Sequence, residues 1–304
     1  MRALMTGAGA GAALVVLYTG MMAAADGITK FIAGGYAAPQ LFVLSSALVL
    51  AFTLGAARAQ GKSAVEGIRL RSVRPMAVRA VLTVVASVAF FMAFRLLPFA
   101  DVFLFIGLIP MFAAALSGPV LNEAPRPMAW AALALGAGGV LFLMPGGLSG
   151  AQAGHGWALL AALSGTGSML AARVIARVER VPLAQVFWPN AALMGVMALA
   201  LPLVWKPMPL ADLGWVAAYA AALFAARYVV AEALRLLPAY VATPLMNLQF
   251  VWMVGIGLVA FEEVPTAGTW MGVTLVIGSG FWLVADESLA RARASRLAAA
   301  LVAE

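Results

Sequence analysis

The sequence has no cysteine, a single histidine, and charge on only 10% of its 304 residues. Without cysteine there is no disulfide framework, no thiol nucleophile and no thiolate metal site. The scarcity of charge excludes a soluble globule, whose surface draws on about 25% charged residues. Hydrophobic residues make up 64% of the chain and the mean hydropathy is +1.02, so lipid must be the solvent for most of the surface. The charge present sums to +7. It lies between apolar runs, which is the pattern of cytoplasmic loops rather than of a nucleic-acid footprint. His155 sits in the polar break Gly146 to Gly156 and reads as structural or solvated. There is no His-Glu-x-x-His helix, no phosphate-binding P-loop, no paired Asp motif and no Ser–His pair in an apolar run. The sequence therefore points away from an enzyme, and it implies neither a metal nor a cofactor. Acidic residues are few and scattered, unlike the lining of a channel.

What is abundant is apolar runs. A helix needs about 20 apolar residues to cross roughly 30 Å of hydrocarbon. Such runs cover 8–33, 38–57, 76–96, 99–121, 127–144, 156–178, 183–205, 211–236, 239–260 and 269–285. The links between them are short and rich in Pro, Gly or charge, so successive helices should be antiparallel neighbours, and no stretch is long enough for a soluble domain. The expected fold class is an all-α membrane protein of about ten transmembrane helices. Ala23-Ala24-Ala25 before Asp26 looks like a signal-peptidase site, but the only charge ahead of that run is Arg2, and a later internal helix matches it. Arg58, Lys62, Arg69, Arg71 and Arg74 fill the longest loop; Arg126, Arg177, Arg180 and the tail residues Arg291, Arg293 and Arg296 fall on the same side. This asymmetry predicts both termini inside. The tail after Asp286 reads as a short basic helix against anionic headgroups.

The chain also repeats itself. A shift of 140 places Arg95-Leu96-Leu97-Pro98 on Arg235-Leu236-Leu237-Pro238, Glu123 on Glu263, Pro125 on Pro265, Trp130 on Trp270 and Gly138 on Gly278. A shift of 143 places Lys30 on Arg173 and Pro39 on Pro182. The halves are 1–150 and 151–304, forming one structural unit. With five helices each, the second half must enter the membrane from the opposite side. That is an inverted repeat, a plan that puts a transporter's site at the repeat interface. The Arg-Leu-Leu-Pro and Glu-x-Pro motifs in two five-helix halves resemble the drug/metabolite transporter superfamily, and within it the EamA family, over essentially the whole chain. Leu121-Asn122-Glu123 and Phe261-Glu262-Glu263 keep that family's small-residue-Glu link only in part. The resemblance implies a secondary carrier working by alternating access in a bacterial inner membrane, as a monomer or homodimer. It supplies no substrate.

Intramembrane charges are costly and are functional hypotheses by default. Arg227 lies about 16 residues into the eighth run, roughly 24 Å from its outer end. It should face protein or water, holding a substrate carboxylate or phosphate, or pairing structurally with Glu232. On the same helix Tyr228 and Glu232 are about 40° apart, and Arg227 and Glu232 about 140°. Asp26 and Lys30 sit at i and i+4. They form an ordinary ion pair, or else Asp26 receives a substrate cation or coupling proton while Lys30 and Asp101 close an outer gate. Arg79, Thr83 and Ser87 make a polar stripe, and the 140 shift maps Ser87 onto Arg227. In that stripe Arg79, like Glu232, is a candidate for coupling or gating and Ser87 for substrate binding, with helix packing as the alternative. Trp188, Phe103, Tyr228 and Asn247 are candidates to meet an organic group, with packing as the alternative for the aromatic residues. The expected substrate is a small amphiphilic metabolite with an anionic group, such as an amino acid or derivative, exported with protons as the default coupling ion. Uptake of a zwitterionic cofactor or vitamin, resembling S-adenosylmethionine, carnitine or riboflavin, is the alternative within the carrier class. A structural or sensory membrane protein is the alternative outside it.

Overall fold

In a computed structural model the described residues are 2–109, 152–236 and 248–275, with scattered positions at 111–138, 246, 277–278 and 282. Among them the secondary structure is helical throughout. The helices are α1 (Arg2–Gly35), α2 (Ala38–Ala59), α3 (Ala64–Ile68), α4 (Val73–Leu96), α5 (Phe99–Gly107), α6 (Ala153–Val178), α7 (Pro182–Val204), α8 (Leu210–Leu236) and α9 (Gln249–Ala260). Residues 267–275 are helical again. Six of these elements contain spans long and apolar enough to cross a membrane: those in α1, α2, α4, α6, α7 and α8. The chain is a helical, multi-pass membrane protein.

Local chemistry sets the boundaries. Pro182 opens α7, where its missing N–H would have had no partner, and α7 then runs on through Pro189 and Pro202. The ladder of α5 loosens at Leu108, two residues before Pro110, whose position forbids one helical hydrogen bond. α3 is a single short turn in the basic loop. It is held by a reciprocal capping box in which the Ser63 hydroxyl accepts the Glu66 N–H and the Glu66 carboxylate accepts the Ser63 N–H. α6 begins at Ala153, so His155 belongs to its first turn instead of a solvated break. It is buried, and its Nδ1 accepts the Gln152 N–H at 3.0 Å.

The packing crosses between the halves. α4 lies against α6, α1 against α8, α2 against α7, α4 against α7, α8 against α2, α1 against α9, and α5 against both α6 and α9. Exchanging α1 with α6, α2 with α7, α4 with α8 and α5 with α9 carries each of these pairs onto another of them or onto itself. The α4–α6 seam is close because α6 buries small residues there: Gly154, Ala158, Ala161, Ala162 and Ala171. A Cβ at Gly154 would stand 2.5 Å from Leu97 Cγ, and one at Gly167 2.9 Å from Leu82 Cδ1. A phenylalanine-rich core around Phe94, Phe99, Phe103 and Phe250 fills one end of the bundle. A second core, around Ile32, Phe42, Phe91 and Leu193, joins α1, α2, α4 and α7. The helix ends near Gly35, Leu97, Trp205 and Phe261 gather at one end, called here the far end. The loop 60–72 and the end of α6 mark the opposite, basic end.

At the basic end the Glu179 carboxylate accepts the backbone N–H of Ser72 at 2.7 Å and of Arg71 at 3.0 Å. Those backbone donors, that of Ser72 foremost, hold its pKa below the ordinary glutamate value. The contact ties the loop of the first half to the last turn of α6.

Candidate functional site

The far end is closed by a compact polar lock. Lys30 Nζ meets Glu263 Oε1 at 2.9 Å and donates to the carbonyls of Leu97 at 2.7 Å and Phe94 at 3.2 Å. The other oxygen of Glu263 accepts the Phe99 N–H at 2.7 Å. Glu263 is delivered by an unusual turn. The N–H groups of Phe261 and Glu263 both return to the Gly257 carbonyl, and Glu262 between them takes φ 56°. This left-handed position usually belongs to glycine, and a side chain there is strained. Here it turns Glu263 back over the bundle. Beside the lock, Asp101 accepts the Thr269 hydroxyl at 2.8 Å. Further round the same end, Tyr36 donates to Asp212, and Gln40 joins the Lys206 backbone through both ends of its amide. The Asp212 carboxylate raises the Tyr36 pKa above its ordinary value. Directly under Glu263 is a crevice of about 30 Å³, room for one water, lined by Asp101, Met253, Gly257 and Thr269.

Below the lock, polar residues fall into two tiers. Asp26 of α1 (ending at Gly35), Ser87 of α4 (ending at Leu96) and Tyr219 of α8 (starting at Leu210) each stand nine residues from the far end. Tyr18, Arg79 and Arg227 on the same helices each stand seventeen residues from it. At 1.5 Å per residue the tiers lie about 14 and about 26 Å down. Asp26 is half-buried and accepts the Gln249 amide at 2.8 Å. Tyr219 rests against Thr29, and both Tyr18 and Tyr219 are within Coulombic range of Asp26 and of Arg227. Arg79 reaches across to the second half, donating to the Ser168 and Gln185 carbonyls, each at 3.3 Å. Arg227 stands deep along α8, within electrostatic reach of Tyr18 and Tyr219, and its side chain remains exposed. It makes no hydrogen bond or ion pair among the described residues.

Several expectations from sequence meet a definite geometry here. The Asp26–Lys30 pair at i, i+4 is not formed: Glu263 and two carbonyls take Lys30, and Gln249 takes Asp26. At the far end Lys30 pairs with Glu263, and Asp101 lies alongside on Thr269. Phe103 is buried and packs on Phe250 with ring centroids 5.0 Å apart, so it is core. Trp188 is turned to the basic end, where its indole N–H donates to the Ile68 carbonyl at 2.9 Å. Thr83 bonds Ser168 at 2.8 Å, one turn above Arg79 on α4. Asn247, and the side chains of Tyr228 and Glu232, lie outside the described residues, as do most of the run 127–144 and the tail. Sequence reasoning passed over Tyr18, Tyr219, Gln249 and the contacts of Glu263 with Lys30 and Phe99. Counting positions from the helix ends would have brought both tyrosines forward.

No family model matches the chain, and no curated protein matches it. Nineteen solved chains do match. One of them superposes with a TM-score of 0.60 over 89% of this chain and 95% of its own, at 19% identity. That likeness establishes a shared fold.

Proposed function

We propose that the chain is a secondary carrier of the drug/metabolite transporter superfamily, of the EamA type. In this reading it moves a small amphiphilic metabolite bearing an anionic group, an amino acid or derivative, out across a bacterial inner membrane by alternating access. The observation that carries the reading is a polar closure of the far end above a deeper tier of charged residues. Lys30 and Glu263 close the far end with contacts from both halves, while Arg227, in the deeper tier, remains exposed. A carrier must close one end in each of its states, and the far-end contacts supply such a closure. Ten helices in two inverted halves are supported by the packing, since most of the helix pairs, α1–α4 apart, survive exchange of the halves. Positions 79 and 219, and positions 87 and 227, are 140 apart and occupy opposite tiers, as inversion requires. The basic loop supports a cytoplasmic basic end. In this reading the conformation is the one closed to the outside. Asp26 is the described carboxylate placed to take a coupling proton.

The test is a thermal-shift screen of metabolites on the purified chain, followed by liposome flux of each hit with and without a proton gradient. A ligand at about 100 times Kd stabilises the fold by about 2.7 kcal/mol. Hits that stabilise the wild type and are carried across liposomes support the proposal. Hits that bind without flux refute it.

A further inference from the structure

Arginine stays charged at any physiological pH, and a lone guanidinium taken out of water costs several kcal/mol. Arg79 and Arg227 stand in the same tier of two facing helices, α4 and α8, and are within Coulombic reach of each other. These helices share no extended packing, each lying instead against α1 and on opposite flanks of the α2–α7 pair. Neither arginine has a carboxylate partner among the described residues. Arg79 is tethered only by two long bonds to carbonyls, and its Nε is buried with no acceptor. Two cations thus stand at one level within electrostatic reach of each other, one with an unsatisfied buried donor and the other with an exposed side chain. The nearest acid of the cluster, Asp26, is about 12 Å higher by helical rise and already engaged by Gln249.

We infer that Arg79 and Arg227 form one oxyanion-binding site, a two-arginine clamp that receives the carboxylate or phosphate group of the substrate. Arg79, read from sequence as a coupling or gating residue, is assigned here to substrate binding. The clamp deepens the carrier reading and rests on it for the identity of its occupant. Guanidinium forks match planar oxyanions through paired N–H donors, so an oxyanion can satisfy Arg79 Nε and the Arg227 fork together. It also converts the repulsion between α4 and α8 into a bridge between them. Tyr18 shares the tier of this clamp and Tyr219 that of Asp26, and both lie within electrostatic reach of Asp26 and Arg227. A substrate with its oxyanion at the clamp and a neutral or cationic polar group toward Asp26 would therefore span both tiers.

The test is binding to the full-length chain in neutral-lipid nanodiscs, with 3-phenylpropanoate and its uncharged amide as paired probes and inorganic phosphate as competitor. The expected result is that the carboxylate binds at least tenfold more tightly than the amide and phosphate displaces it. Arg79→Gln and Arg227→Gln should each lose at least tenfold in carboxylate affinity while leaving the amide unchanged. Arg79→Lys keeps the charge and the fold while losing the fork, and should fall between; it decides the matter if the glutamine variant does not fold. Equal binding of acid and amide, or wild-type carboxylate affinity in both Arg79 variants, would overturn the site. Repeating the titration with anionic lipid separates the sources: competition by lipid makes a headgroup the resident oxyanion, and indifference to lipid leaves a soluble one. Failure of flux with the clamp intact would count against the carrier alone.

Discussion

Glu263→Gln should unlock the far end, and the size of the effect can be worked from its contacts. The substitution removes the ion pair to Lys30 at 2.9 Å and weakens the acceptor for the Phe99 N–H at 2.7 Å. Charge-assisted hydrogen bonds contribute about 1.5–3 kcal/mol each. The side chains of Lys30 and Glu263 are 13% and 27% exposed, so solvent screens part of that. Lys30 also keeps its two carbonyl acceptors, and the glutamine can still accept one bond. A net loss of about 2 kcal/mol from the closed state follows, which is roughly a thirtyfold shift toward opening at 1.4 kcal/mol per factor of ten. The absence of native cysteine makes this directly measurable. Met253 is fully buried on the floor of the crevice under Glu263, so Met253→Cys reports on opening. In right-side-out vesicles a membrane-impermeant maleimide should label that cysteine about thirtyfold faster when Glu263→Gln is added. Glu262→Gln, an exposed neighbour outside the lock, should leave the rate alone. If Glu263→Gln folds normally and labels at the parental rate, the lock does not hold the far end closed.

Three further outcomes test the packing and the turns. Gly154→Ala drives a Cβ into Leu97 at 2.5 Å and should cost about 1–3 kcal/mol. Gly156→Ala, with nothing within 4 Å of its Cβ, should be neutral or stabilising by up to about 1 kcal/mol; paired thermal melts check both. Glu262→Gly relieves the left-handed strain at φ 56° and should raise stability by up to about 1 kcal/mol, and a lower melting temperature would show that the side chain contributes something else. Glu179 is held below its ordinary pKa by the Ser72 and Arg71 amides, so its contribution is present above about pH 4.3 and is lost as pH falls through the lower folded value. Wild-type stability should decline over that acid window more steeply than that of Glu179→Gln, measured by chemical denaturation.

How far the sequence carries depends on the range of the interaction. The spanning helices were legible because each is a run of about twenty apolar residues, and the observed bounds of α1, α2, α4, α6, α7 and α8 extend the sequence runs by a few residues at most ends. α3 was missed because five residues give no apolar period; Ser63-x-x-Glu66 was its one signal. The partners of Asp26 and Lys30 were not legible. Local spacing offered them to each other, but Glu263, 233 positions from Lys30, and Gln249, 223 from Asp26, outcompete it. Such contacts depend on α9 lying against α1, and hydrophobic periodicity does not encode which helices become neighbours. Trp188 and Phe103 could be read either as cavity wall or as packing, and a side chain's direction on an apolar helix was needed to decide.

The repeat suggests what closes the basic end in the opposite state. Lys30, five residues before the end of α1, corresponds to Arg173, five residues before the end of α6; Glu263 corresponds to Glu123. Glu123 lies outside the described residues; on the proposed inverted repeat, an Arg173–Glu123 pair is the expected counterpart of the far-end lock. The two locks oppose each other, since a carrier open at the far end must be closed at the basic end. Glu123→Arg places like charges at that closure and so depopulates the far-open state. Labelling of Met253→Cys in the Glu263→Gln background should then slow by about tenfold, the effect of roughly 1.4 kcal/mol. Exchanging the charges, Arg173→Glu with Glu123→Arg, should restore most of the rate, because the pair survives with its polarity reversed. A swap no faster than Glu123→Arg alone would mean that the ends are closed by unlike devices, and that the symmetry of the helices does not extend to their gates.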